Sequence, residues 1–233
     1  MDRRTATRLS KFLSLVLRHR PDDYGLAMDE QGWVDFESLI DVLVAEDIVA
    51  ETAEDDVMEL VDGSERRRFQ VEGNRIRALY GHSARIPLQY PPQTPPDVLW
   101  HGTTPEHAAR IRHEGLKPEG RAFVHLSSTE GEARSVGGRH SETPVLVRVD
   151  ARAALDRNVP FHQATDLIWL CPALAPELCS VPEDVPHEAA APPPRAPSPP
   201  RAPREPLRPP AVVETEPDSG EFRRRTRKKG SRR

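Results

Sequence analysis

Apolar residues recur with a helical period through most of the first 60 positions. From residue 5 to residue 20 they are spaced by three and by one, which predicts an amphipathic helix with a single apolar face. A short strand over Gly32–Val34 and two more helical patterns follow, with Asp35 and Thr52 suited to cap those helices. This part of the chain is therefore predicted to be mainly helical.

The pattern then changes to alternation between apolar and polar positions. It runs from Phe69 to Ala78 on both sides of a Gly73-Asn74 turn, which predicts a β-hairpin. Helices followed by a hairpin indicate a winged-helix-like first domain, residues 1–86, a design common in nucleic-acid-binding proteins. The hairpin region carries five arginines: Arg66, Arg67, Arg68, Arg75 and Arg77.

A proline-rich linker, residues 87–97, precedes a pattern of strand, helix and strand that begins near Val98. Thr104 can cap the helix and Gly115 can end it. The two strands carry His101 and His125, and we expect both rings to face one cleft. Gly102 would let a ligand approach the backbone there, and neighbouring Thr and Ser hydroxyls could bond an amide or a ribose.

The remaining patterns complete an α+β second domain, residues 98–183. They comprise a helix capped by Thr129, a flexible basic loop over Gly137–His140 and a strand over Val145–Val149. That strand is predicted to be apolar throughout and hence buried. A hairpin between Phe161 and Leu170 is predicted to close the sheet.

Charge is unevenly distributed along the 233 residues, whose formal net charge is -4. Residues 184–233 hold 12 of the 25 prolines and a net charge of +5, so the rest of the chain carries -9. Few large apolar residues lie in this segment, which predicts a disordered tail. The basic run from Arg223 to Lys229 is suited to phosphate backbones, so the tail is expected to add a sequence-independent attraction for nucleic-acid phosphates.

Other classes of protein find little support in the sequence. Two cysteines, Cys171 and Cys179, are too few for a disulfide scaffold, and the nine histidines lack the spacing of metal ligands, so we predict no metal site. No apolar run is long enough to span a bilayer, and the N-terminus lacks a signal sequence. We therefore expect a cytoplasmic protein that makes no membrane contact and is a monomer.

An ordered set of short strings between about Leu9 and Pro182 resembles one family, the NAD-dependent RNA 2′-phosphotransferases, called KptA in bacteria. Each string is weak alone, but their order and approximate spacing together are specific. The tail lies outside the resemblance. The matching strings are Leu15-Val16-Leu17-Arg18-His19, Gly32-Trp33-Val34, Arg68-Phe69, Arg75-Ile76-Arg77-Ala78, Gly81-His82-Ser83, His101-Gly102-Thr103 and Arg121 with Val124-His125-Leu126-Ser127, and more loosely Gly138-Arg139-His140 and Trp169-Leu170.

The resemblance implies an ADP-ribosyltransferase-like second domain and a set of site residues. Its catalytic set falls on Arg18, His19, Arg68 and Arg121, although Arg67 competes for the third position. The residues implied to bind NAD are His101, Gly102, Thr103, His125 and Ser127, and His82 and Arg139 are candidates for substrate binding.

The resemblance also implies the reaction, with NAD as co-substrate and no metal. An internal 2′-phosphate of RNA attacks the nicotinamide ribose of NAD, and nicotinamide leaves. The ribose 2″-hydroxyl then attacks the phosphorus of the 2′-phospho-ADP-ribosylated RNA. This step releases RNA with a 2′-hydroxyl and ADP-ribose 1″,2″-cyclic phosphate, as tRNA splicing requires.

Two other functions stay open at the level of sequence. One is an ADP-ribosyltransferase that modifies protein or nucleic-acid ends and stops after the first step. The other is a non-catalytic nucleic-acid-binding protein that uses the hairpin and the tail.

Overall fold

Two antiparallel sheets organise the computed structural model, which describes residues 1–48, 53–63, 67–86 and 88–185. The described residues belong to one compact unit. Thr52, Arg66, Pro87 and the tail beyond residue 185 lie outside them. The helix cap predicted at Thr52 and the disorder predicted for the tail concern residues outside the described ranges, and both stay predictions.

The first half of the chain places helices beside a three-stranded sheet. Its strand order is β1-β3-β2, and its own apolar cluster lies between helices and sheet. The elements are α1 (Arg3–His19), β1 (Val34–Asp35), α2 (Phe36–Ala45), α3 (Ala53–Asp62), β2 (Phe69–Glu72) and β3 (Arg75–Ala78).

Helix α1 forms for the reasons that the sequence suggests, although it begins two residues earlier than predicted. Asp2 caps it, because its carboxylate accepts hydrogen bonds from the backbone N–H groups of Arg4 and Thr5. One face is fully buried, with Leu9, Leu13, Val16 and Leu17 all 0% exposed. Burial of that face fixes the rotation of the helix and hence the direction of its last turn, Arg18 and His19.

The predicted hairpin is confirmed. Phe69 pairs with Ala78 and Val71 with Ile76, so the apolar side chains of both strands face the same core. Asp35 caps α2 as expected, accepting a 2.8 Å hydrogen bond from the Ser38 N–H. The short strand predicted at Gly32–Val34 is shifted to Val34–Asp35, where it pairs with β3.

The second half forms a six-stranded antiparallel sheet in the order β7-β8-β5-β4-β6-β9. A second apolar cluster covers it, including Leu99, Val147 and Phe161. The elements are β4 (Val98–Thr103), α4 (Pro105–Glu114), β5 (Val124–Ser127), α5 (Glu130–Gly137), β6 (Val145–Asp150), α6 (Ala151–Asp156), β7 (His162–Gln163), β8 (Ile168–Cys171) and β9 (Cys179–Ser180).

The helix caps predicted for this half at Thr104, Gly115 and Thr129 are confirmed, and the β7–β8 hairpin forms one end of the sheet. Thr104 accepts a hydrogen bond from the His107 N–H, and Gly115 ends α4 with φ +72°. The mixture of helices with antiparallel sheets agrees with the α+β class. The likeness of the two halves to winged-helix and ADP-ribosyltransferase domains stays a prediction.

Two local predictions are wrong. Strand β6 is not buried throughout, because its side chains alternate: Val147 and Val149 are fully buried, whereas Arg148 between them is exposed. Gly137 is not in a loop but is the last residue of α5. The chain then turns through hydrogen bonds from the His140 and Ser141 N–H groups to the Gly137 carbonyl.

No helix within the described residues is long and apolar enough to cross a membrane. The thiols of Cys171 and Cys179 are buried and free.

Candidate functional site

The segment after the hairpin, Gly81–Ala84, joins the end of α1 to the chain that leads into β5. The Ser83 N–H donates to the Arg18 carbonyl over 3.0 Å, and the His82 carbonyl accepts from the Ala122 N–H over 3.0 Å. Ser83 and Arg121 also form an isolated antiparallel bridge. These backbone contacts bring Arg18 and Arg121, which are far apart in the sequence, close together.

The side chain of Arg18 is surrounded by aromatic rings and other cations. Its guanidinium carbon is 5.2 Å from the centre of the Tyr80 ring and 5.7 Å from that of Phe69, within the range of cation–π contacts. Its Nε and Nη2 are buried and have no hydrogen-bond partner among the described residues. The position of Gly81 beside Arg18 favours glycine for two reasons. Its φ is +91°, and a Cβ there would lie 3.2 Å from Arg18 Nη1.

Burial, followed by the nearby charges of Arg68 and Arg121, lowers the pKa of Arg18 to about 10. The group is still cationic at pH 7. A buried cation with unpaired N–H donors is costly unless an anion meets it. No carboxylate in the described part of the chain lies within ion-pair distance of Arg18, so its donors suit an anionic ligand.

Arg67 and Arg68 diverge because successive residues of an extended chain point to opposite sides. Arg68 Nη1 donates to the Ser10 hydroxyl on α1 over 3.0 Å. Arg67 instead lines a separate cleft with Gln70 and Tyr80. The arrangement associates Arg68, rather than Arg67, with the Arg18 cluster.

His19 and Arg121 complete the cluster of side chains around Arg18. Burial lowers the pKa of His19, and the charges of Arg18 and Arg121 contribute in the same direction. Arg121 is exposed, and its charge also lowers the pKa values of Arg18, His101 and His125. Its position therefore connects the first-half cations with the second-half histidines.

The two strand histidines lie together, as the sequence predicts. His101 Nδ1 is 3.0 Å from the His125 carbonyl oxygen, which can only accept, so Nδ1 carries the proton and Nε2 is an acceptor when the ring is neutral. Burial lowers the pKa of His125 to about 3, and the His125 Nε2 is buried with no hydrogen-bond partner among the residues that the structure describes. The Tyr80 and His125 rings meet edge to face at 6.1 Å, so Tyr80 contacts both Arg18 and His125.

Gly102 has a structural reason that differs from the one expected. A Cβ at this position would lie 1.8 Å from the Ala133 carbonyl oxygen of α5, so the glycine permits close packing of strand against helix. The side of Gly102 toward α5 is thus filled by protein, and the approach of a ligand to the Gly102 backbone stays a prediction. Thr103 and Ser127 are 5% and 4% exposed, so little of either side chain is accessible.

His82 and Arg139 differ in their relation to the cluster. His82 is buried, its Nδ1 lies 3.3 Å from the Tyr90 hydroxyl, and its Nε2 has no partner among the described residues. Burial, followed by the charges of Arg18 and His19, lowers its pKa to about 3. Arg139 is exposed in the turn after α5, and nothing in the described chain joins it to the cluster by a hydrogen bond or ion pair.

Sequence reasoning missed two residues beside these groups, Tyr80 and Ser10. Tyr80 stands directly before the Gly81-His82-Ser83 string, so an aromatic at that position was a usable signal. Ser10 lies three positions before Leu13 on α1, and apart from its hydroxyl nothing in the sequence indicates that it belongs to the site.

A cleft of about 330 Å³ lies beside Tyr80, between the two halves of the chain. The first half contributes Arg67, Gln70, Arg77, Leu79 and Tyr80, and the second contributes Glu132 and residues 163–168. Within the described residues no group of three or more His, Cys, Asp or Glu side chains could hold a metal ion.

Comparison with known proteins gives consistent matches. A sequence model of the RNA 2′-phosphotransferase, Tpt1 / KptA family matches residues 4–173. A probable RNA 2′-phosphotransferase of Pseudomonas aeruginosa is 42% identical over 175 residues, covering 73% of this chain and 93% of the relative. Proteins of the same description from Hahella chejuensis and Acetivibrio thermocellus are 38% and 36% identical, covering 80% and 72% of this chain and 100% and 92% of the relatives.

Proposed function

Since the chain belongs to the RNA 2′-phosphotransferase family, Tpt1 / KptA, we propose that it removes an internal 2′-phosphate from RNA by transferring the phosphate to NAD. Nicotinamide, RNA with a 2′-hydroxyl and ADP-ribose 1″,2″-cyclic phosphate are the products. The reaction passes through 2′-phospho-ADP-ribosylated RNA and requires no metal. We expect the enzyme to be a cytoplasmic monomer.

The unpaired donors of Arg18 are the observation that carries this proposal. Arg18 is a partly buried cation, and Arg68 and Arg121 lie close enough for their charges to act on it. A guanidinium can bind phosphate bidentately and stays charged at neutral pH. Three arginines around one point thus suit a phosphate dianion, and the Ser10 bond that orients Arg68 favours Arg68 over Arg67 as the third.

The strand histidines fit a dinucleotide better than a second anion. With pKa values lowered mainly by burial, both rings are neutral at pH 7 and so offer hydrogen bonds rather than charge. His101 Nε2 can accept from a ribose hydroxyl, and the partnerless His125 Nε2 can meet a polar group of the ligand. When bound, NAD supplies an electrophilic anomeric carbon and a leaving group.

In the first step the protein holds the 2′-phosphate and orients it. Arg18, Arg68 and Arg121 would fix the 2′-phosphate so that one oxygen points to the anomeric carbon, which gains positive charge as nicotinamide leaves. The phosphate is already a nucleophilic anion and needs no base. Tyr80 contacts both Arg18 and His125, so it can set the distance between the two substrate sites.

In the second step charge accumulates on the phosphate oxygens, where the same arginines stabilise it. His19 is the titratable group beside them. Its lowered pKa makes it neutral at pH 7, in a form that can accept a proton from the attacking hydroxyl and return it to the leaving 2′-oxygen.

The test is incubation of the full-length chain with a 2′-phosphorylated oligonucleotide, with and without NAD, and with EDTA in a parallel sample. We expect nicotinamide, 2′-hydroxyl RNA and cyclic phosphate in equal amounts, only when NAD is present, and at the same rate in EDTA. The same RNA without the 2′-phosphate serves as control. Loss of phosphate without NAD would overturn the proposal, and nicotinamide release without cyclic phosphate would indicate a transferase that stops after the first step.

A further inference from the structure

We propose that the cleft beside Tyr80 binds a base of the RNA next to the nucleotide that carries the 2′-phosphate, with that base stacked on the Tyr80 ring. This inference rests on the proposed function and specifies how the same site recognises RNA. It assigns the cleft to a neighbouring nucleotide rather than to NAD.

Position is the first argument. Tyr80 lines the cleft and also lies over the Arg18 guanidinium, at 5.2 Å from its carbon. A phosphate held by Arg18 and a base in the cleft would therefore both lie beside the same tyrosine ring. Adjacent nucleotides of a single strand are close enough for one to present its phosphate to Arg18 while the base of its neighbour contacts Tyr80.

The chemistry of the walls is the second argument. Single-stranded RNA is recognised by stacking of unpaired bases on aromatic rings and by hydrogen bonds to base edges, with cations along the backbone. Tyr80 supplies the ring, and Arg67 and Arg77 supply the cations. Gln70 Oε1 accepts two hydrogen bonds from Arg77, at 3.0 and 2.7 Å, which fixes the amide and leaves its NH₂ group to donate.

The opposite wall carries acceptors for a base edge. Gln163, at the end of β7, and Asp166, in the β7–β8 turn, line the cleft from the second half. The turn is held rigidly, because the Asp166 carbonyl accepts from the Ser128 hydroxyl and Thr165 Oγ1 accepts from the N–H groups of Leu167 and Ile168. A carboxylate at this position favours a base with an exocyclic amino group over uracil.

Separation from the predicted dinucleotide site is the third argument. None of the five residues implied to bind NAD, which are His101, Gly102, Thr103, His125 and Ser127, lines the cleft. The cleft draws one wall from the arginine-bearing hairpin, and its volume of about 330 Å³ is at the lower end of the range for ligand pockets. It therefore suits one nucleotide rather than a complete dinucleotide.

The test measures coupling between the neighbouring base and the cleft, with full-length protein and NAD. The substrates are trinucleotides with a central 2′-phosphate, intact or with an abasic site on the 5′ or the 3′ side. Wild-type protein is expected to lose about tenfold in kcat/KM when one of the two bases is removed, through KM for the RNA. The Tyr80→Phe variant should retain this loss, because the ring is kept.

For the variant Tyr80→Leu, kcat/KM should be nearly the same on the intact and the abasic substrate, whatever its absolute value. Asp166→Asn should reduce the preference for adenine, cytosine or guanine over uracil at that position, whereas Asp156→Asn, an exposed carboxylate on α6, should leave it unchanged. Turnover that ignores both neighbouring bases in wild-type protein would overturn the inference. A raised KM for NAD with an unchanged KM for RNA in Tyr80→Leu or Asp166→Asn would overturn it in favour of NAD. Absence of NAD-dependent turnover on every substrate would instead contradict the proposed function.

Discussion

The two halves of the molecule contribute opposite kinds of side chain to the candidate site. The first half presents Arg18 and Arg68, cations without carboxylate partners in the described chain, whereas the second presents His101 and His125, rings kept neutral by burial. Elsewhere arginines pair with acids, as Arg157 does with Glu177 at 2.8 Å. One half is therefore suited to a phosphate and the other to an uncharged part of a ligand.

The largest effect should come from removing an arginine of the cationic cluster, either Arg18 from the first half or Arg121 from the second. Arg18→Ala and Arg121→Ala should each lower kcat about a hundredfold, since each deletes a phosphate-binding group worth ~3 kcal/mol in the transition state. Arg157→Ala removes the same charge from a surface ion pair and should change kcat less than twofold. Single-turnover rates on 2′-phosphorylated RNA provide the measurement.

Folding provides the control for these variants. Because Arg18 has buried N–H donors that find no partner in the described part of the chain, its removal should not lower the midpoint of thermal unfolding. A well-folded Arg18→Ala protein with wild-type rates would show that the cationic half does not bind the reacting phosphate.

A substitution at Gly102 should destabilise the second half. The variant Gly102→Ala should lower the free energy of unfolding by about 3 kcal/mol, at the upper end for overpacking, because its Cβ would meet the Ala133 carbonyl. Gly131→Ala, in the first turn of α5 with nothing within 4 Å, should instead be neutral or stabilising by about 0.5–1 kcal/mol. Urea unfolding of both variants separates the two cases, and equal stabilities would contradict the packing role of Gly102.

Neutrality of the buried histidines predicts a direction for pH dependence. His82 and His125 have pKa values of about 3 in the fold, so below about pH 6.5 the unfolded chain takes up protons first. The free energy of unfolding should fall as the pH falls from about 6.5 towards 3, by up to about 1.4 kcal/mol per pH unit for each histidine.

Denaturant unfolding at several pH values tests this slope. His82→Gln should make it shallower, because His82 is 2% exposed, and the exposed His113→Gln should leave it unchanged. A slope that is the same in wild type and His82→Gln would show that this ring is not held neutral.

The smallest effect concerns the orientation of one cation. Ser10→Ala removes the hydroxyl that accepts from Arg68 Nη1, which is expected to lower kcat by about fivefold, since such a bond contributes about 1 kcal/mol. Arg67→Ala should leave kcat on a minimal 2′-phosphorylated dinucleotide unchanged and Arg68→Ala should not. The reverse order would transfer the third catalytic position to Arg67.

Sequence periodicity predicted most of the elements, because the features that determine them are local. The apolar face of α1, the Gly73-Asn74 turn and the caps at Asp35, Thr104 and Thr129 each depend on residues close in the chain. Strand β6 was misjudged because its burial depends on which side of the sheet is covered, which leaves Arg148 exposed.

The site was less accessible to such reasoning, because it depends on contacts between distant parts of the chain. Resemblance to a family located Arg18, His19 and Arg121, but periodicity could not show that Gly81–Ala84 joins them. The role of Gly102 in packing against α5 and the contacts of Tyr80 with Arg18 and His125 required coordinates.

The central claim is that Arg18 and its neighbours form a site for the 2′-phosphate. The most direct measurement is the binding affinity, without NAD, of two otherwise identical oligonucleotides that differ in a 2′-phosphate or 2′-hydroxyl at one position. The account predicts that wild-type protein binds the 2′-phosphorylated RNA at least tenfold more tightly and that Arg18→Ala loses this preference while Arg157→Ala keeps it. Equal affinity of wild-type protein for the two RNAs, or a preference that survives in Arg18→Ala, would contradict the claim.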